Sequence, residues 1–208
     1  MKDELERRCV QVDLRAGLEG ESRTLEGYAV VFGSMSEDLG GFREIVEPGA
    51  FGEALNESPD VRALFNHDPS LVLGRTVNGT LRLAEDATGL RVAVTLPDTS
   101  YAADVHRLVE RGDVNQMSFA FRTRKGGETW ATEEGQRVRR LRSLALYDVS
   151  VVTFPAYQAT TVAARALEMA QEQEESDSRA AGEIDAETAD DQAVVLTEMR
   201  RRRLQLLR

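Results

Sequence analysis

The 208-residue chain contains two histidines, His67 and His106, and imidazole is the side chain whose charge ordinarily changes near neutral pH. General-base chemistry therefore turns on one of these two. His67 lies in Asn66-His67-Asp68-Pro69, a polar cluster that follows a strand-like run and ends on proline. His106 sits beside Arg107 in an amphipathic stretch, one position after the apolar Val105, and is assigned a structural role. An imidazole becomes catalytic by taking the proton of a nucleophile that is weak on its own, such as a serine hydroxyl. Ser118 suits that partnership. In Gln116-Met-Ser-Phe-Ala-Phe121, Met117, Phe119 and Phe121 alternate with Ser118 and Ala120. The two small residues thus share one strand face, with room for a substrate carbonyl. The same alternation also suits a serine that faces solvent or a neighbouring strand. A third group would orient the imidazole and stabilise its cation. Asp148 stands in the apolar run Leu146-Tyr-Asp-Val-Ser-Val-Val-Thr-Phe-Pro155, where an acid is costly unless paired. Glu44 and Glu47 are alternatives. Asp68, adjacent to His67, is less able to fold back onto its ring.

Other chemistries find less support. Two histidines without the HExxH spacing do not make a catalytic zinc site, and no phosphate-binding GxGxxG or GxxxxGK[ST] occurs. Neither a metal nor a cofactor is expected. The single Cys9 excludes an internal disulfide framework and reads as a half-buried structural thiol in an alternating segment. A net charge of −10 opposes nonspecific nucleic-acid binding, which depends on neutralising phosphates. No apolar stretch resembles a signal peptide or reaches the roughly 18–20 residues of a membrane span. A chain free in the cytoplasm, without nucleic-acid or membrane partners, is the expectation.

The elements that must position these groups are mostly strands. Alternation or apolar runs place strands over Val10–Leu14, Thr24–Phe32, Phe42–Val46, Asp60–Phe65, Leu71–Arg75, Thr80–Leu83, Gly89–Leu96, Val114–Thr123 and Arg139–Phe154. Asn78-Gly79 signals a tight hairpin between the strands that flank it. Lys125 to Gln136 reads as a Gly- and Glu-rich hairpin. A short helix is expected over Ala50–Leu55, and a longer one over Tyr101–Arg111 closed by Gly112. The composition changes near Ala166: from there to Gln192 ten acidic residues face one Arg179, with no aromatic side chain. Such a segment has little to bury. It divides the chain into a core domain, 1–165, and a tail, 166–208, whose basic run, Arg200 to Arg203, falls within a third expected helix, Val194–Leu207.

An ordered series of segments resembles the HK97-type prohead proteases of tailed bacteriophages. The segments are Leu25-Glu-Gly-Tyr-Ala-Val-Val-Phe32, Glu44-Ile-Val-Glu-Pro-Gly-Ala-Phe51, Leu64-Phe-Asn-His-Asp68 with Leu73-Gly-Arg75, Val114-Asn-Gln-Met-Ser-Phe-Ala-Phe121, and Leu146 to Tyr157. The resemblance implies an α+β, mainly β fold similar to the herpesvirus assembly proteases, a closed β-barrel ringed by helices. It implies His67 as general base and Ser118 as nucleophile. Asp148 then stands where the herpesvirus enzymes use a second histidine, and backbone N–H groups form the oxyanion hole. It further implies a serine endopeptidase, acting in the host cytoplasm and inside the procapsid, that cleaves the major capsid protein's scaffolding segment and then itself. A homo-oligomer stays open, and the exposed acidic tail suits self-cleavage. The charge-segregated tail also suits a different class, a non-catalytic scaffold or capsid-binding module.

Overall fold

The computed structural model describes residues 5–11, 14–154 and 170–171. The tail from Ala166, its expected helix over Val194–Leu207 and the end of the last motif, Pro155 to Tyr157, lie outside the described residues apart from 170–171. Twelve strands and two α-helices are described. In chain order they are β1 (Glu6–Gln11), β2 (Arg15–Glu19), β3 (Ser22–Val31), β4 (Arg43–Val46), α1 (Gly52–Asn56), β5 (Arg62–Phe65), β6 (Asp68–Arg75), β7 (Leu81–Glu85), β8 (Gly89–Thr95), α2 (Ser100–Glu110), β9 (Gln116–Thr123), β10 (Glu128–Glu133), β11 (Gln136–Leu141) and β12 (Leu144–Val152). They form a five-stranded sheet in the order β1-β9-β12-β5-β6, a four-stranded sheet β2-β3-β8-β7 and a three-stranded sheet β10-β11-β4.

The predominance of strands matches the sequence; the closed barrel ringed by helices does not. Each sheet is open, ending on β1 and β6, β2 and β7, or β10 and β4, whereas a barrel needs an unbroken ladder of paired strands. Bulges between Tyr28 and Val30, in the β5–β6 pairing and between Leu146 and Asp148 bend the strands, and such kinks end or redirect pairing. The two described helices, of five and eleven residues, do not ring the described sheets. Instead β3 lies against β9, and the core joins Leu25, Val30, Val92 and Val94 of the four-stranded sheet to Met117, Phe119, Phe121, Val149 and Val151 of the five-stranded one.

Two local expectations also change. Asn78-Gly79 does not join a hairpin. Thr76 to Asn78 make one 3₁₀ turn, and Gly79, at φ 75°, takes the left-handed conformation that costs glycine little. The chain there leaves β6 in one sheet and enters β7 in another. The hairpin expected over Lys125 to Gln136 carries β10, antiparallel to β11, but Arg142 and Ser143 break the long final strand into β11 and β12. Helix α2 buries Ala102, Val105, His106 and Val109. Its His106 donates from Nε2 to the Gly17 carbonyl of β2 at 3.0 Å, a packing role.

Sheets are also tied by charge. Arg139 on β11 bonds Glu6 of β1 at 2.7 and 3.0 Å, Glu44 of β4 at 3.0 Å and Glu128 of β10 at 2.6 Å. Arg8 reaches the same Glu44 at 2.8 and 2.9 Å and Glu6 at 2.7 Å. Glu6, Glu44 and Arg139 are all buried. Arg139→Met would leave buried carboxylates short of a cation and is expected to cost about 3–5 kcal/mol. Arg124→Met, which removes a more exposed pair with Glu57, is expected to cost less than about 1 kcal/mol. Urea unfolding of the two variants checks the contrast. Burial alone would raise the Glu6 carboxyl, but the Arg139 and Arg8 guanidiniums outweigh it and hold that group below its ordinary value. A carboxylate depressed in the folded state stabilises above its unfolded pKa, about 4.3. Stability is therefore expected to fall as acid takes the pH below that value, and Glu6→Gln should flatten this slope in acid-unfolding curves.

Candidate active site

Strand β9 carries Ser118 near the middle of the five-stranded sheet. Its Met117, Phe119 and Phe121 fill the core, so Ser118 and Ala120 share the opposite face. Ser118 is paired with Cys9 of β1 on one side and Ser150 of β12 on the other. Its exposure is 0%, so it does not face solvent.

Asp148 reaches that face through a defect. Counting by twos from Leu144 and Leu146, both buried apolar residues, would point Asp148 into the core. The pairing instead runs Leu146 with Phe121 and then Asp148 with Ala120. Tyr147 is the extra residue of a bulge, and from there on the sides are exchanged. Val149 and Val151 take the core side while Asp148 and Ser150 line up beside Ala120 and Ser118. Tyr147 itself stays outside, its ring under the Arg122 guanidinium and its hydroxyl 3.0 Å from Arg122 Nη1.

His67 is placed by a two-residue turn. Phe65 of β5 pairs with Asp68 of β6, and Asn66 and His67 between them have φ of 53° and 56°. Positive φ at both central residues is what a type I′ hairpin turn requires. Asparagine tolerates it; histidine does so at a cost of roughly 1–2 kcal/mol. The turn is held from β12 and its exit: the Asn66 N–H donates to the Val151 carbonyl at 2.9 Å, and Asn66 Oδ1 accepts from the Thr153 N–H at 3.0 Å. Because β12 pairs in parallel with β5, the same strand that holds the turn also carries Asp148.

The three side chains meet. His67 Nε2 lies 2.7 Å from Ser118 Oγ and Nδ1 lies 2.6 Å from Asp148 Oδ1. An ionised carboxylate can only accept, so Nδ1 carries the proton and the Nε2 lone pair faces the serine hydroxyl. The other acids are committed elsewhere. Glu44 belongs to the buried ion cluster, Glu47 bonds Arg140 at 2.6 Å, and Asp68 accepts from the Ser70 N–H and hydroxyl at 2.8 and 2.6 Å. Ser150, which sequence reasoning did not single out, lies 2.8 Å from Asp148 Oδ1 and 3.1 Å from His67 Nδ1. The one available signal was its spacing of two from an acid in a strand. Among the described residues, no three His, Cys, Asp or Glu side chains gather as a metal-binding group, and no helix is long and apolar enough to cross a membrane.

Comparison with known proteins gives a match over residues 10–175 to the family model described as caudovirus prohead serine protease. No curated protein matches the chain. Among solved structures, the capsid assembly protease of bacteriophage T4 is similar over 71% of this chain and 98% of its own, at 10% identity and a TM-score of 0.42.

Proposed function

This chain belongs to the caudovirus prohead serine protease family, and from that premise we propose that it cleaves the scaffolding segment of the major capsid protein inside the procapsid and then cuts its own tail. It is a serine protease by membership; the substrates and the residues in each role are our reading. The continuous hydrogen-bond chain from Asp148 through His67 to Ser118 carries that reading. Ser118 Oγ attacks the scissile carbonyl as its proton passes to His67 Nε2. Asp148 stabilises the resulting imidazolium, which then protonates the departing amine. Backbone N–H groups are assigned to the oxyanion, where donors fixed in advance favour the tetrahedral intermediate. The acidic segment from Ala166 to Gln192 is assigned as the self-cleaved part because charged sequence without aromatic residues is readily opened to a protease.

Mass spectrometry after co-expression with the cognate capsid protein tests the reading. New termini are expected within the scaffolding segment and in this chain beyond Ala166. A capsid protein left at full length in assembled proheads would overturn the substrate assignment.

A further inference from the structure

We infer that Ser150 is a positioning residue that fixes the tautomer of His67; this rests on the roles proposed for His67, Asp148 and Ser118. Ser150 is 0% exposed, and its Oγ forms a triangle with the two groups that orient the base, 2.8 Å from Asp148 Oδ1 and 3.1 Å from His67 Nδ1. The third side, Nδ1 to Oδ1, is 2.6 Å. Two donors and one ionised acceptor must be distributed over this triangle. The carboxylate is the charged and nearer acceptor, so the Ser150 hydroxyl donates to Oδ1. Its lone pairs then face Nδ1, where they can only meet an N–H. The hydroxyl thus supports the tautomer with hydrogen on Nδ1 and disfavours the one with hydrogen on Nε2, which would aim a donor at Ser118 and leave it without a base. When the imidazolium forms, the same oxygen is a second acceptor for its Nδ1 proton.

The bulge at Tyr147 makes this arrangement possible. Asp148 and Ser150 are two apart on one strand and point the same way, and both lie on the Ser118 side only because the bulge exchanges the faces before them. A hydroxyl at this place is also costly to bury unless bonded, and no neighbour other than this pair is needed to satisfy it.

A fluorophosphonate reports the activation step without a peptide substrate. Ser118 Oγ forms a bond to phosphorus, fluoride leaves with the broken P–F bond, and the serine proton goes to His67. In the full-length chain, Ser150→Ala is expected to lower the maximal labelling rate about 10–100-fold, the worth of a hydrogen bond to a charged group. The reagent concentration at half-maximal rate should stay within about twofold. Ser150→Thr keeps the hydroxyl at the same packed position and is expected to label within about fivefold of the native rate. The low-field proton resonance of His67 Nδ1 should move or broaden in the alanine variant and persist in the threonine variant. Native-rate labelling of Ser150→Ala overturns the assignment. So does a threonine variant that loses as much as alanine, because packing would then account for the loss. If the native protein is not labelled at Ser118 at all, the roles proposed for the three main residues fail instead.

Discussion

Ser118→Ala is expected to end proteolysis: the proposed cleavage of capsid protein and of the chain's own tail should drop by about 10⁶-fold, the scale on which a serine protease loses rate without its nucleophile. The reason is local. Among the described residues, no second hydroxyl has the 2.7 Å approach to His67 Nε2 that Ser118 has; Ser150 stands on the Nδ1 side of the ring and faces a protonated nitrogen. The variant should nevertheless fold. Ser118 points away from the core that Met117, Phe119 and Phe121 build, and alanine is already accommodated two residues on at Ala120, buried on the same face. A thermal midpoint within a few degrees of native, together with a capsid protein recovered uncut, is the expected pair of results. Processing that continues at more than a thousandth of the native rate would remove Ser118 from the nucleophile's role.

Asp148→Asn is expected to lower the rate by about 10⁴-fold without lowering stability. Asparagine has nearly the shape of aspartate, so the bulge and the β9–β12 pairing need not change. Its amide can turn an N–H toward His67 Nδ1, which then holds the ring in the tautomer with hydrogen on Nε2. Ser118 would be faced by a donor and could not release its proton. At the same time a buried carboxylate, 8% exposed, is replaced by a neutral group, which spares its desolvation. Activity and stability should therefore part company. Single-turnover cleavage measured beside urea unfolding separates the two effects, and a variant within tenfold of native activity would place the orienting group elsewhere.

The sequence made strand content, the core face of β9 and the helix α2 legible because each shows an unbroken period over several residues. His67 and Ser118 stood out through residue type and an ordered set of motifs. Apart from the last motif, Asp148 was visible as an anomaly, an acid in an apolar run, because period two fails at Tyr147 and a bulge leaves no mark in composition. Ser150 was hidden by the same shift. The closed barrel failed for a related reason. Strand signals show that strands dominate but not how they pair or where a sheet ends, and the 3₁₀ turn before Gly79 sends the chain to another sheet where Asn-Gly promised a hairpin. Arg139 was equally silent, since a basic residue in a strand looks solvent-facing until Glu6, Glu44 and Glu128 converge on it from three other strands.

The order of the five-stranded sheet has a consequence for biosynthesis. Its central strand, β12, is the last of the twelve to be translated, yet it pairs with both β9 and β5 and carries Asp148 and Ser150. Its Val151 carbonyl and the following Thr153 also hold the turn under His67. Without β12, strand β9 with Ser118 and the β5–β6 turn with His67 lack the strand that pairs with β9 on one side and β5 on the other. On the roles proposed for these residues, proteolytic capacity is expected only once the segment from Leu144 to Thr153 takes its place between β9 and β5.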